Sequence, residues 1–481
     1  MTDDQDADRR FRLALGGLAV AALLLRVAYV WRTRALLPFG DAFYYHEQAN
    51  LIADGRGFIE PYTWVREQRA VATAFHPPLW SATLSVFSFL GVRSWTGHRL
   101  VGCLLGAAGV VVIGLLAREV GGRRVAGTLC GGRRVGLVAA GIAVLYPYLW
   151  LNDVFALGES LAVLLAAGAA LLAYRFADRP SPRRAVELGL VCGLAALTRA
   201  EQAAMFVFLA VPLILLVRTG HGTPSYPGPR ERWARRARLL GVCTMAAALP
   251  VVPWVARNLT TFDRPEAVTT SLGVTLAVTN CDPTYDRGGI FYAYWNFDCQ
   301  VGVEVPPGDE SVQDAFWRRH ALDYIKDHKA SLPLLIAART ARFYNLYRPQ
   351  QQTLFDKTEA RPRWASEAGL LGFYLLVALS IGGVVLLRRR MVMLLPLLVL
   401  PAVATLAVVL TYPITRYRAP AEVSFVVLAS VMIDAGLARR RLQGGSPVGE
   451  GVQGRIFVRL HRHPPTPATG PGAAPQIRRQ P

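Results

Sequence analysis

An all-α polytopic membrane protein with about ten transmembrane helices is the fold class this sequence predicts, and three observations predict it. The chain is 53% hydrophobic over 481 residues. Its apolar runs approach the length that crosses roughly 30 Å of hydrocarbon, where a soluble chain would alternate polar and apolar faces. Its net charge of +20 is almost all arginine, gathered in short bursts between those runs as the positive-inside rule describes. A basic patch would suggest a phosphate-backbone partner. Bursts between apolar runs report topology instead, so no nucleic acid is expected.

Span one covers 13–31. It is too long for a secretory leader, lacks a small-residue cleavage site and is followed by further spans, so it is expected to stay in the bilayer. The arginine bursts lie at Arg9 to Arg12, Arg118 to Arg134, Arg175 to Arg184, Arg218 to Arg238, Arg388 to Arg390 and Arg439 to Arg441. With all six on the cytoplasmic side, a single crossing separates residue 32 from 118. The run at 100–117 supplies it, and the shorter run at 79–92, opened by Pro77-Pro78, is read as an interfacial or re-entrant helix. The remaining spans pair as 135–149 with 160–174, 185–198 with 203–217, 239–256 with 368–387, and 391–411 with 421–437. Both ends are then cytoplasmic, and the extracytoplasmic loops are 32–99, 150–159, 199–202, 257–367 and 412–420. The organisation is a cytoplasmic N-terminus at 1–12, a membrane domain at 13–437 and a disordered basic tail at 438–481, rich in Gly and Pro. The segment Gly-Gly-Arg-Arg-Val occurs twice within 121–135, a duplication too short for a repeat fold.

Polar clusters at the ends of spans carry the candidate chemistry, because loops admit charge without desolvating it in lipid. Asp41, Tyr44, Tyr45 and Ala49 share one face of a juxtamembrane helix. Asp41 could act as a general base towards an acceptor hydroxyl, or simply cap that helix. His76, before Pro77-Pro78, could donate to a phosphate or sugar oxygen, or be a plain interfacial residue. Glu159 opens a span, a costly place for a charge unless it is paired or hydrated. It could join Asp41 in holding a divalent ion through hard oxygen ligands, or serve the helix macrodipole. Arg199 and Glu201 interrupt an apolar stretch, and Arg257 ends a span. Arg416 and Arg418 flank Tyr417 on the extracytoplasmic side, against the sign rule. Arginines there suit a lipid-linked phosphate, or snorkel to headgroups. Cys281 and Cys299 share the long loop and could form a disulfide if it is extracytoplasmic. The stretch 331–347 is amphipathic and is expected on the membrane surface.

Taken in order, these pieces resemble the GT-C glycosyltransferases of the branch containing protein O-mannosyltransferases and the lipid A aminoarabinose transferase, a family 39-like pattern. The resemblance is carried by Asp41-x-x-Tyr44-Tyr45, His76-Pro-Pro-Leu79, Glu159, Leu197-Thr-Arg199 and Arg416-Tyr-Arg418, and it covers most of 11–437. Ala42 stands where that family commonly has a second acidic residue, and His76 where some relatives carry lysine. The resemblance implies a GT-C-like bundle in the plasma membrane. It implies an inverting transfer from a polyprenyl-phosphate sugar to an envelope lipid, polysaccharide or protein acceptor. Asp41 would be the base, with Glu159 beside it. His76, Arg199, Arg257, Arg416 and Arg418 would surround the donor phosphate, and Tyr44, Tyr45 and Tyr417 the substrate. A transporter or flippase of lipid-linked saccharide, a noncatalytic scaffold and a glycan ligase are the competing readings. Transporters place charge near the bilayer midplane and show internal repeats, whereas the charges here fall at span ends.

Overall fold

The computed structural model describes residues 2–123, 132–216 and 228–444. Residues 445–481 of the expected tail, Cys130 and the middle of the Gly-Gly-Arg-Arg-Val duplication lie outside the described residues, whereas 438–444, expected to be disordered, continue the last helix. Residues 1–439 form one compact unit. Among the described residues there is no strand, only an isolated bridge between Ile59 and Ala72.

The helices run α1 (Thr2–Arg32), α2 (Gly40–Ala53), α3 (Pro61–Glu67), α4 (Leu79–Phe89), α5 (Trp95–Gly121), α6 (Gly132–Leu145), α7 (Pro147–Asp153), α8 (Glu159–Asp178) and α9 (Pro182–Thr198). They continue with α10 (Val211–Leu216), α11 (Pro229–Thr261), α12 (Leu272–Ala277), α13 (Asp282–Tyr285), α14 (Glu310–Asp327), α15 (Leu332–Phe343), α16 (Pro349–Asp356), α17 (Arg363–Arg389), α18 (Leu395–Leu410) and α19 (Ala419–Gly444). A helix stands at each of the ten expected spans, yet among the described residues length and composition qualify six helices singly for a full crossing. A seventh arises if α6 and α7, bent by 61° at Tyr146-Pro147, count as one span. The shortfall has local causes. Proline has no amide proton to continue the ladder, and α18 with its 16 residues is shorter than a bilayer requires. The run at 79–92 forms the short apolar helix α4 rather than a crossing. Helix α1 begins at Thr2, so residues 2–12 are continuous with the first span.

The main core is built from small and branched residues, Val110, Ile113, Ala139, Ala166, Ala170 and Val427 among them, all at most 1% exposed. At one end of the unit the arginine bursts find acids. Arg118 Nη2 reaches Asp8 at 2.8 Å, Arg123 Nη2 reaches Asp178 at 2.5 Å and Arg134 Nη2 reaches Asp434 at 2.7 Å. The opposite end carries α2 to α4 and the long connection between α11 and α17. That connection is helical in pieces and is closed by the disulfide Cys281–Cys299, with Cα atoms 5.6 Å apart. Within it α15 buries Leu335, Ala338, Arg339 and Arg342 and packs on α18.

Candidate active site

Asp41 falls in the first turn of α2, but it does not cap it. The cap position is Phe39, whose side chain makes no capping hydrogen bond. The Asp41 carboxylate is engaged elsewhere: Oδ2 accepts from Arg416 Nη2, and Oδ1 lies 3.5 Å from His76 Nε2. The imidazole of His76 is wedged between the rings of Tyr44 and Tyr45, with centroids 4.7 and 4.9 Å away. The Tyr44 hydroxyl is tied to the scaffold through Thr73 Oγ1 at 3.1 Å and Gln48 Nε2 at 2.9 Å. A sharp turn positions Glu159 across from them. Ala156 sits at φ +52°, its carbonyl accepts from Trp80 Nε1 at 2.8 Å, and α8 starts three residues later.

The extended backbone of Arg199, φ −148°, ends α9 and aims its side chain at Glu159, with Nη1 to Oε1 at 2.6 Å. Its Nε donates to Glu201, and its guanidinium lies 4.1 Å from the centre of the Tyr417 ring. Tyr417 in turn shares a hydrogen bond of 2.9 Å with Tyr412. A tight 3-10 turn, Thr415–Arg418, brings Arg416 to the centre. Besides Asp41, Arg416 Nε stands 3.0 Å from Glu359 Oε1 and 3.7 Å from Glu159 Oε1. Asp41, His76, Glu159, Arg199, Arg416, Tyr45 and Tyr417 are thus one cluster drawn from five stretches of chain. The Asp41 side chain is its accessible member, 30% exposed against 2% for Glu159 and 9% for Arg416.

Burial pushes the Asp41 carboxyl up, but Arg416 and His76 beside it outweigh that and hold it well below the usual carboxylate range. Burial, then the charges of Asp41 and Glu159, raises the Tyr45 phenol well above its ordinary value. Tyr45 therefore stays a neutral hydroxyl. The snorkelling reading of the arginines flanking Tyr417 does not hold, since Arg416 and Arg418 are buried.

Two of the arginines expected at a phosphate are not brought into this cluster. Arg418 Nε donates to Glu422 Oε1 at 2.5 Å, and its guanidinium lies 3.6 Å from the Phe373 ring centre. One helical turn separates Arg418 from Glu422, so the pair closes within α19 and its approach. Arg257 Nη1 and Nη2 donate to the carbonyls of Thr73 and Phe58 at 3.0 and 3.1 Å, which clamps the loop that carries His76. Sequence reasoning also missed one member, Glu359, together with its neighbour Arg361. Their only sequence signal is a Glu-x-Arg pair just before an apolar run, much as Glu159 stands just before another.

Asp41 and Glu159 were the donor set for a divalent ion, and the residues present do not fit one. Arg416 fills the space between the two carboxylates. Among the described residues, no group of three or more His, Cys, Asp or Glu is arranged to hold a metal ion.

No protein-family model matches the sequence, and no curated protein matches it. Solved structures do align with it. The oligosaccharyltransferase of Archaeoglobus fulgidus, in complex with zinc and sulfate, gives a TM-score of 0.51 at 15% identity, covering 90% of this chain and 50% of that one. Oligosaccharyltransferase AglB of the same organism, with an inhibitory peptide and a dolichol-phosphate, gives 0.46 at 14% identity over 93% of this chain and 53% of that one. ArnT from Cupriavidus metallidurans bound to undecaprenyl phosphate gives 0.34 at 14% identity, over 89% and 81%. The fold assignment rests on the first of these: over 90% of its length the chain shares the fold of that archaeal oligosaccharyltransferase. It spans about half the length of the archaeal proteins it matches.

Proposed function

We propose that this protein is an inverting glycosyltransferase that moves a sugar from a polyprenyl-phosphate-linked donor to a hydroxyl of an envelope acceptor, lipid, polysaccharide or protein. The reaction would take place at the extracytoplasmic face of the plasma membrane. The observation that carries this reading is the accessible Asp41 held against buried Arg416 and half-buried His76, at the span ends of a bundle with the GT-C fold.

The chemistry follows from that pairing. The acceptor hydroxyl attacks the anomeric carbon from the face opposite the phosphate and passes its proton to the Asp41 carboxylate. The bond from the anomeric carbon to the phosphate oxygen breaks, and the electron pair leaves with polyprenyl phosphate. Charge on the phosphate grows along this path, so a fixed guanidinium stabilises the transition state more than the ground state. Arg416 is placed for that task, with His76 as a second donor and Arg199 further along the cluster. A carboxylate clamped by Arg416 is a weak base. When the donor phosphate takes the guanidinium, Asp41 loses its strongest partner and its basicity rises towards that of an ordinary carboxylate. Base strength is thereby tied to the presence of donor. Tyr45 and Tyr417 offer neutral ring faces beside the cluster, suited to a sugar.

The test is transfer. Purified protein in lipid is offered a panel of radiolabelled polyprenyl-phosphate sugars with envelope extract, alongside Asp41→Asn. We expect label to reach the acceptor with wild type, and Asp41→Asn to lose about 100-fold or more in rate, the usual worth of a positioned base. Donor binding without transfer, unchanged in Asp41→Asn, would sink this reading and favour a transporter or a scaffold.

A further inference from the structure

Glu359 has no part in the chemistry above, yet its carboxylate stands between two buried guanidiniums. Oε1 lies 3.0 Å from Arg416 Nε and Oε2 lies 3.3 Å from Arg361 Nε. Neither contact is a hydrogen bond. Arg416 Nε, Arg361 Nε and Nη1, and Glu359 Oε2 are all buried without a hydrogen-bond partner. Arg361 is 2% exposed, and its Nη2 donates to Asn152 Oδ1 at 2.7 Å. Buried donors left idle are costly, and native structures leave few of them without a reason.

The group that would satisfy these donors can be named from its chemistry. It must be an anion with two oxygens able to reach two guanidiniums at once, and it must bind better than a carboxylate that only approximates the geometry. The two non-bridging oxygens of a phosphodiester meet that description, and arginine forks are shaped for them.

Charge and backbone point the same way. Asp41, Glu159, Glu201 and Glu359 are paired with Arg199, Arg416 and Arg361, four carboxylates to three guanidiniums. Buried Asp356, close enough to act on both Arg361 and Glu359, adds a further carboxylate. With Glu359 in place the cluster carries excess negative charge and opposes an anionic donor; withdrawing Glu359 reduces that excess. Glu359 is also the outward member, its side chain 19% accessible where that of Arg361 is 0%. It closes a short 3-10 turn, and the next residue, Ala360, holds φ +57°. That left-handed conformation is uncommon for a residue with a Cβ. A carboxylate next to such a residue is well placed to move as the backbone relaxes.

We propose that Arg361 and Arg416 together bind the phosphate of the lipid-linked donor, and that Glu359 is a placeholder which the phosphate displaces. The proposal rests on the glycosyltransferase reading and adds to it two residues with assigned roles. Glu359 returns to the guanidiniums as the lipid phosphate leaves, so the same carboxylate that opposes entry assists release.

The experiment measures equilibrium binding of a fluorescent short-chain polyprenyl phosphate to the full chain in lipid nanodiscs. The matching polyprenol, which lacks phosphate, is the control. Wild type is compared with Glu359→Gln, Arg361→Gln and Arg361→Lys. Removing the competing carboxylate should tighten phosphate binding about tenfold, and losing a two-pronged partner should weaken it about tenfold. Arg361→Lys should fall between, and polyprenol binding should not change in any variant. A merely structural role for Glu359 or Arg361 would instead lower phosphate and polyprenol binding together. If wild type binds polyprenyl phosphate and Glu359→Gln binds it no more tightly, the placeholder is overturned and the transferase reading stands. If wild type binds no polyprenyl phosphate and shows no Asp41-dependent transfer, both fall.

Discussion

His46 and His98 face each other through their Nδ1 atoms, 2.9 Å apart. The Nε2 of His98 meets Ser88 Oγ at 2.9 Å, and Ser88 donates onward to Asn50 Oδ1 at 2.9 Å. Because Ser88 donates its proton to Asn50, it accepts from His98, whose Nδ1 then accepts from His46. The relay requires a neutral His98, whose Nδ1 lone pair accepts the proton that His46 Nδ1 donates. Burial lowers His46 to about 4, although Glu47 Oε1 lies 3.7 Å from its Nε2. The sign follows from linkage. An unfolded imidazole takes up its proton near 6.5, before the folded one does, so stability is full above that pH and is lost as pH falls towards about 4. We expect the unfolding temperature of the solubilised protein to drop by a few °C across that window, and His46→Gln to flatten the profile. An unfolding temperature that is level from pH 7 to 4 in wild type would refute this. The sequence places His46 in the acidic-aromatic cluster Asp41 to Glu47 but gives neither histidine a role, because a single His carries no pattern; only the fold reveals the partner 52 positions away.

At the scale of elements, α9 and α11 show how the unit closes without large side chains. Gly189 and Gly193 are four residues apart, one turn along α9. A Cβ at either would come within 2.2 Å of a backbone carbonyl on α11, that of Cys243 for the first and of Ala247 for the second. Carbonyls cannot yield as a flexible side chain can, so Gly193→Ala must push the helices apart. Overpacking of this kind costs about 1–3 kcal/mol, and small residues at a four-residue spacing are a recognised means of close approach between membrane helices. Thermal unfolding should show Gly193→Ala clearly destabilised and Gly241→Ala, where an added Cβ meets nothing, close to wild type. Equal stability of the two would remove the argument. The existence of most helices was legible from apolar runs and arginine bursts. Their lengths were not: the 61° bend at Pro147 and the shortness of α18 are decided by neighbours and by proline, not by mean hydropathy.

Over the whole molecule, the site is what joins the beginning of the chain to its end. The Arg416–Asp41 pair spans 375 positions, and around it Glu159 and Glu359 come from two further segments. Replacing Arg416 by alanine would leave three carboxylates facing one another in a buried setting. Removing one member of such a network costs about 3–5 kcal/mol. We therefore expect Arg416→Ala to lower global stability as well as activity, while Asp41→Asn lowers activity far more than stability. Scanning calorimetry set beside the transfer assay separates the two, and an Arg416→Ala protein as stable as wild type would contradict the central role given to that guanidinium.

The sequence by itself determined that this is a helical membrane protein with polar chemistry at span ends. It also brought forward Asp41, His76, Glu159, Arg199, Arg416, Tyr45 and Tyr417, because desolvation makes any charge at the end of an apolar run conspicuous. The same local signal picked out Arg418 and Arg257. Only the tertiary structure could show that Arg418 is absorbed by Glu422 and Arg257 by two backbone carbonyls. It alone brought in Glu359 and Arg361, which look like ordinary loop charges until folding buries them. The division has a physical reason. Hydrophobic burial is read along the chain in windows of a few turns, whereas ion pairing in a low-dielectric site depends on which distant residues arrive within 4 Å of one another.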